Sequence, residues 1–471
     1  MIVIKRGFRR TAFISLCILL AGMTGASAYA KSAAVTRADT SSSTVGSDNM
    51  RVIAHNDFGG GDLGKGGEGF AEVIAPNGHR ILYVANESGP VCFNVVDVTD
   101  PQHPLLLSRT FVPNDNVRCN SLDASASRHL LVVANQVSAP GESPAGVQVF
   151  SIADPIHPEQ ISYLSTAGPY SPGVHAVWLE GDYMYMSSGV PEAGPWGLAF
   201  IPKSSLDNQI EVIASLKDPS HPELVGEWWY PGTRVDDPEP LPPLARDASG
   251  CRAHNAQVYP PGDIAYVGYL DCGIVVLNVA DKAHPKVIAM LNDNPPNPGF
   301  THTVMPIDDG RYLAVTHEAL TDYCADFPKL ITFVSSRTLG QISYSPLPAN
   351  QVDLCEAGGR SGAHNISENV PDEPAFHSDA LVIGSFFNAG VQIYDVSKVT
   401  HPRLLAWDIP PVPDHPSSNV TLPDNTIQIN DVFIDNRGVI FAVDRFGGGL
   451  YVLRSPVIDK AVRASAAQRA N

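Results

Sequence analysis

The chain has 471 residues and a formal net charge of −18, with 49 acidic against 31 basic side chains, 39 Gly and 40 Pro. That balance makes nucleic acid and anionic lipid poor partners. Glycine and proline at this density, with hardly any long apolar stretch of helical period, predict many short strands joined by turns.

The first thirty residues carry Lys5, Arg6, Arg9 and Arg10, an apolar run from Ala12 to Ala21, and small residues ending in Ala26-Ser27-Ala28-Tyr29-Ala30. This is the pattern of a secretory signal peptide over 1–30, cleaved after Ala28 or Ala30. The apolar run is about half of the roughly 20 residues that a spanning helix needs, so no transmembrane anchor is predicted. Arg9-Arg10 leaves open whether export uses the general or the twin-arginine route. Residues 31–49 are small, polar and free of aromatics, which predicts a flexible leader. An exported protein is expected: periplasmic, on the cell surface or secreted.

Cysteine usage points the same way. Cys17 lies in the signal, and Cys92, Cys119, Cys251, Cys272, Cys324 and Cys355 remain. An even count in an oxidising compartment suggests disulfides. Six cysteines allow fifteen connectivities, and their grouping along the chain favours 92 with 119, 251 with 272, and 324 with 355. CxxC is absent, so neither zinc-finger nor thioredoxin chemistry is indicated.

The segment 50–460 is built on one recurring unit, which ends in a strand beginning with Gly and a turn containing His-Pro. Copies are GVQVFSIADPIHPEQISYL at 146–164, IEVIASLKDPSHPELVGEW at 210–228, GIVVLNVADKAHPKVIAML at 273–291 and GVQIYDVSKVTHPRLLAWD at 390–408, with VCFNVVDVTDPQHPLLLSR at 91–109 before them. A degenerate copy lies at 331–347 and a partial one at 438–456. The His-Pro steps, at His103, His157, His221, His284 and His401, mark a period of about sixty residues. Units of this size bury little alone, so stacking in a closed ring is the natural solution. The fold class expected is all-β: a β-propeller of about seven blades of four-stranded antiparallel sheets, followed by a C-terminal tail at 461–471.

The unit G-φ-x-φ-φ-D-φ-x-D-P-x-x-P-x-φ-φ, carried by Gly273 to Ile288 and Gly390 to Leu405, resembles the LVIVD repeat family of bacterial and archaeal surface propellers. The strand aspartate is replaced by Ser151 in the second copy and by Asn278 in the fourth. The resemblance implies a propeller in an extracytoplasmic setting and leaves the activity open.

Aligned blade starts read Ala71-Glu72-Val73, Asn120-Ser121-Leu122, His175-Ala176-Val177, His254-Asn255-Ala256, His302-Thr303-Val304, His364-Asn365-Ile366 and Asn430-Asp431-Val432. The first strand of a blade lines the central channel, so His175, His254, His302 and His364 should converge near the axis. Imidazoles sharing a small volume suit copper, iron or zinc, and His317, Glu318 and Asp431 are candidates to orient them. The layout is similar to that of the carotenoid-cleaving oxygenases and of the selenium-binding, methanethiol-oxidising propellers. The bland alternative is that the histidines satisfy backbone groups around a polar channel. The His-Pro histidines are expected to serve the turns.

Other motifs carry little. Gly59, Gly60, Gly61, Gly64, Gly66 and Gly67 lack the context of a phosphate loop, and no G-x-S-x-G, H-E-x-x-H or EF-hand spacing occurs. His55-Asn56-Asp57 echoes the blade starts and is expected over the channel mouth. Pro-rich inserts at 234–250 and 409–425 are expected to decorate one propeller face, where loops form binding surfaces. Two functions follow from these features: a binding or interaction module whose loop face takes a protein, glycan or small molecule, or a metal-dependent oxidoreductase with a histidine-ringed centre.

Overall fold

Alternating apolar residues over five to seven positions, each run closed by an Asp-Pro or His-Pro turn, make short strands that pair with their sequence neighbours. The computed structural model describes residues 45–190, 202–203, 209–242, 250–292, 294, 297, 299–326, 328–349, 351–371, 374–418 and 426–469. These form seven small antiparallel sheets, the blades of a β-propeller. Blade one is typical: Gly66–Ile74, Arg80–Asn86, Val91–Asp97 and Leu105–Phe111 pair in chain order from the innermost strand outward. The degenerate copy supplies Thr332–Ser335 and Gln341–Tyr344, the outer half of blade five.

The repeated glycine has a steric cause. Gly146, Gly273 and Gly390 have φ of 149°, 82° and 68°, and a Cβ there would lie 2.0, 2.1 and 2.1 Å from the carbonyl oxygens of Leu164, Leu291 and Asp408 on the paired outer strand. Only glycine combines that backbone with that approach. A bulge between the third and fourth strands recurs in the blades, as at Val149/Phe150, Ile213/Ala214, Val276/Leu277 and Ile393/Tyr394, and bends each outer strand the same way.

The core lies between blades. Phe93 of blade one meets Phe150 of blade two edge to face with centroids 5.4 Å apart, and Trp178 of blade three meets Tyr259 of blade four at 5.4 Å. Polar ties cross the same seams: Trp178 Nε1 donates to Val258 O at 2.6 Å, and Ser121 Oγ accepts from Val177 N at 3.2 Å. The His-Pro turns are peripheral, as expected. In four of them the imidazole meets the aspartate three residues earlier, at 2.8 Å for His103–Asp100, 2.9 Å for His157–Asp154 and His221–Asp218, and 3.1 Å for His284–Asp281.

Blade seven consists of Ile429–Ile434, Ile440–Asp444 and Gly449–Arg454, and its outermost strand, Arg51–Asn56, comes from the other end of the described chain. His55 therefore does not cover the channel mouth. Its ring stacks on Tyr451 with centroids 4.3 Å apart, and its Nε2 meets Gly448 O at 2.6 Å. The helix Pro456–Arg469 follows the last strand and buries Ile458 in the core of that blade. Among the described residues no helix is long and apolar enough to cross a membrane. Three disulfides, Cys92–Cys119, Cys251–Cys272 and Cys324–Cys355, form in the pairing expected from the sequence.

Candidate metal centre

In blades one, three, five and seven the innermost strand begins with an irregular step in its pairing to the second strand, and a side chain in that step reaches the axial cluster or its edge. His175 lies inside the bulge between Val174 and Ala176, His302 inside that between Thr301 and Val304, and Asn430 inside that between Ile429 and Asp431. Bulges re-aim side chains in this way. His254 and His364 enter just ahead of the first-strand pairings of blades four and six, held by bonds from their own N–H groups to Gly268 O and Ser385 O, both 2.9 Å.

Blade one contributes the residue that the sequence alignment missed. Its bulge runs from Gly66 to Phe70 and presents Glu68, three positions ahead of the Ala71 aligned with the histidines. The signal was obscured by glycines that have a packing cause: a Cβ on Gly67 would lie 2.6 Å from Asn120 O, and one on Gly69 2.5 Å from Leu122 N. Registering the blades on their second strands, where Phe70 pairs with Val84 as Leu122 pairs with Val133, would have found Glu68.

The four histidines converge on this carboxylate. Glu68 Oε2 lies 3.7 Å from His175 Nε2, 3.7 Å from His254 Nε2 and 3.5 Å from His302 Nε2, and Oε1 lies 3.7 Å from His364 Nε2. The imidazoles form an arc with successive centroids 4.4, 3.7 and 4.4 Å apart, and His175 Nε2 is 2.8 Å from His254 Nε2. Two ligand atoms on one ion at about 2.1 Å stand roughly 3.0 to 3.4 Å apart, so these separations match the edges of a coordination polyhedron within a few tenths of an ångström. Three overlapping sets, Glu68 with His175 and His254, Glu68 with His302 and His364, and His254 with His302 and Glu318, each bring their ligand atoms within 4.8 Å of one another.

Protonation favours the same use. Burial pushes the His175 imidazole down to about 3 and those of His254 and His364 well below their ordinary value. Burial would raise the Glu68 carboxyl, but the approach of His302 and the flanking imidazoles hold it well below the usual carboxylate range. The cluster thus sets three imidazoles that burial keeps neutral, His175, His254 and His364, with His302 beside them, around one anionic oxygen donor, a set that suits a divalent transition metal. His364 Nδ1 lies 2.6 Å from Asn430 O, which can only accept; the proton sits on Nδ1 and the Nε2 lone pair faces the cluster. Thr303 Oγ1 donates to Asn365 Oδ1 at 3.4 Å and can accept from His302 Nδ1 at 2.9 Å, giving His302 the same tautomer. Among the described residues, Nε2 of His302 and of His364 are buried without a hydrogen-bond partner, as metal-facing ligand atoms would be.

Of the three supporting residues expected, Glu318 stands at the centre: its Oε1 is 3.7 Å from His364 Nε2 and accepts from Arg360 Nη1 at 2.7 Å. His317 turns away, with Nε2 3.0 Å from Thr332 Oγ1 and burial lowering its imidazole to about 3. Asp431 lines a cavity of about 40 Å³ in the channel, with Asp123, Asn255, Glu368 and Glu68. Burial, with Glu368 beside it, raises the Asp431 carboxyl well above its ordinary value, and burial raises that of Glu368 to about 7.

No known family profile matches the chain, and no curated protein matches it in sequence. Solved structures with a similar fold include a Bacteroides uniformis protein assigned provisionally as a 6-phosphogluconolactonase, at 12% identity over 72% of this chain and 84% of that chain, with a TM-score of 0.48. A chain of a mitotic checkpoint complex aligns at 11% identity over 87% of this chain and 94% of that one, also at 0.48.

Proposed function

We propose that the central channel holds one transition-metal ion and that the protein is an exported metalloprotein with oxidoreductase chemistry. The observation that carries this is the convergence of four imidazole Nε2 atoms on the Glu68 carboxylate, with two of those nitrogens buried and without a hydrogen-bond partner among the described residues. Structural histidines around a polar channel would spend both ring nitrogens on backbone or hydroxyl partners; here the second nitrogens face one another instead.

His175, His254, His302 and His364 would hold copper, iron or zinc, with Glu68 and Glu318 offsetting positive charge and Asn430 O fixing His364. When bound, such an ion supplies Lewis acidity and, for copper or iron, electron transfer. The protein's part is to keep the imidazoles neutral, to fix their tautomers through Asn430 O and Thr303, and to bury the site at the mouth of a narrow channel. Export is supported by the three disulfides, which persist in oxidising compartments. Membership of the LVIVD repeat family is supported by the repeat itself and by the steric role of its glycine. A loop-face binding role, the other function expected, finds no specific observation in its favour.

The test is metal content by mass spectrometry on mature protein purified without chelator or affinity tag, beside His254→Ala/His302→Ala. Near-stoichiometric copper, iron or zinc that disappears in the variant is expected. A wild-type protein that stays metal-free after reconstitution overturns the proposal and leaves a binding propeller.

A further inference from the structure

The histidine cluster sits where first strands begin and second strands end, and that edge of the ring carries four arginines. Arg118 precedes the first strand of blade two, Arg252 and Arg360 precede His254 and His364, and Arg445 follows the second strand of blade seven. Arg118 Nη2 lies 3.0 Å from His175 Nδ1, and Arg360 reaches the site through the Glu318 oxygen that faces His364. Glu87 Oε1 accepts from both Arg118 Nη1 at 3.1 Å and Arg445 Nη2 at 2.8 Å. The guanidinium carbons of Arg360 and Arg445 lie 5.6 and 5.9 Å from the same Phe387 ring centroid, and that ring packs on His364 at 4.5 Å.

Two like charges over one ring repel, and burial together with Arg445 pushes the Arg360 guanidinium down. Such crowding is costly unless an anion relieves it. Glu318 pairs with Arg360, and Glu87 is shared by Arg118 and Arg445; burial would lower the Arg445 guanidinium, but Glu87, Glu318 and Glu68 raise it. Among the described residues the Arg360 guanidinium gives one hydrogen bond, to Glu318, and that of Arg445 one, to Glu87, so each keeps donors in a fork that matches a carboxylate. A groove of about 460 Å³, lined by Ser88, Asp115, Asn116, Arg118, Gln136 and Ser138, runs to the Arg118 and Gln136 side chains that touch His175 Nδ1. Its volume is that of a small-ligand pocket.

We infer that this rim is an anion-selecting mouth: it takes a small organic carboxylate, paired with Arg360 and Arg445 over Phe387, and sets it beside the histidine cluster. The inference names the substrate class of the proposed metal centre and so rests on that assignment for its catalytic meaning, though not for the binding itself.

The experiment is ligand-detected NMR and calorimetry on the mature chain, metal-free and metal-loaded, with acetate, succinate and benzoate, their matched amides, and inorganic phosphate. At least one carboxylate should bind at least tenfold more tightly than its amide. Arg360→Gln/Arg445→Gln should weaken it tenfold or more, Arg360→Lys less, and His254→Ala/His302→Ala should keep it. If the double arginine variant fails to fold by near-UV circular dichroism, Arg118→Gln and Arg360→Lys measured singly replace it, each expected to lose affinity. Equal binding of amides, binding of phosphate alone, no binding by any carboxylate, or indifference to the arginine variants overturns the inference. Carboxylate binding to a protein that takes no metal would fell the metal assignment and leave this one standing; metal uptake without carboxylate binding would do the reverse.

Discussion

Glu68 Oε2 stands 3.5 Å from His302 Nε2, joining blades one and five across the axis of the ring. Glu68→Gln keeps the shape of the side chain and removes its charge. Metal affinity should fall by at least about tenfold while the fold persists, because ligand charge, not packing, is what is lost. Competition with a chelator of known affinity measures it, and an unchanged affinity would take Glu68 out of the site.

Glu211 offers a pH dependence remote from the axis. Its side chain is fully buried, both carboxyl oxygens lack a hydrogen-bond partner among the described residues, and burial raises it well above its ordinary value. The folded state therefore keeps the proton after the unfolded chain, with a glutamate pKa of about 4.3, has released it. Stability falls as pH rises above that value, by up to about 1.4 kcal/mol per pH unit until the folded-state pKa is reached. Glu211→Gln should thus leave Tm near pH 4 almost unchanged and raise it at pH 7 to 8. Equal shifts at both pH values would refute the assignment.

Much of this was legible in the sequence, and for a physical reason: features imposed on every blade repeat. The positive-φ glycine and the His-Pro turn recur because each blade faces the same steric demand, so the blade count could be read from the repeat, while the disulfide pairing was favoured only by the grouping of the cysteines along the chain. The histidines were visible because they occupy one register. Glu68 was not, since glycines needed for close packing obscure where its strand starts. The arginine rim was equally hidden. Its members come from different strand ends and share no period, and only closure of the ring brings Arg360 and Arg445 over Phe387.

The disulfide Cys251–Cys272 brackets the first two strands of blade four and lies three residues before His254. Cys251→Ser/Cys272→Ser should cost about 3 kcal/mol in guanidinium unfolding, the value for a loop of this length. It should also weaken metal retention, because His254 loses the constraint on the chain leading to it. Full retention of both properties would show that the strand pairing alone fixes His254.

Removing residues 45–56 leaves Gly449–Arg454 as an uncovered sheet edge. Such edges recruit other chains. The truncated protein should unfold less cooperatively and elute as oligomers in size-exclusion chromatography. A monomer with unchanged Tm would mean the ring holds without its clasp.

That clasp also sets a schedule. Blade seven is finished only when a strand from near the start of the described chain meets the last strand of the ring. The proposed ligands come from blades one, three, four, five and six, so Glu68 cannot face His302 until the circle is nearly complete. An open form of the chain therefore offers a metal no complete set of donors. On the proposed assignment, metal acquisition follows closure of the ring and is governed by the ions present wherever that closure takes place.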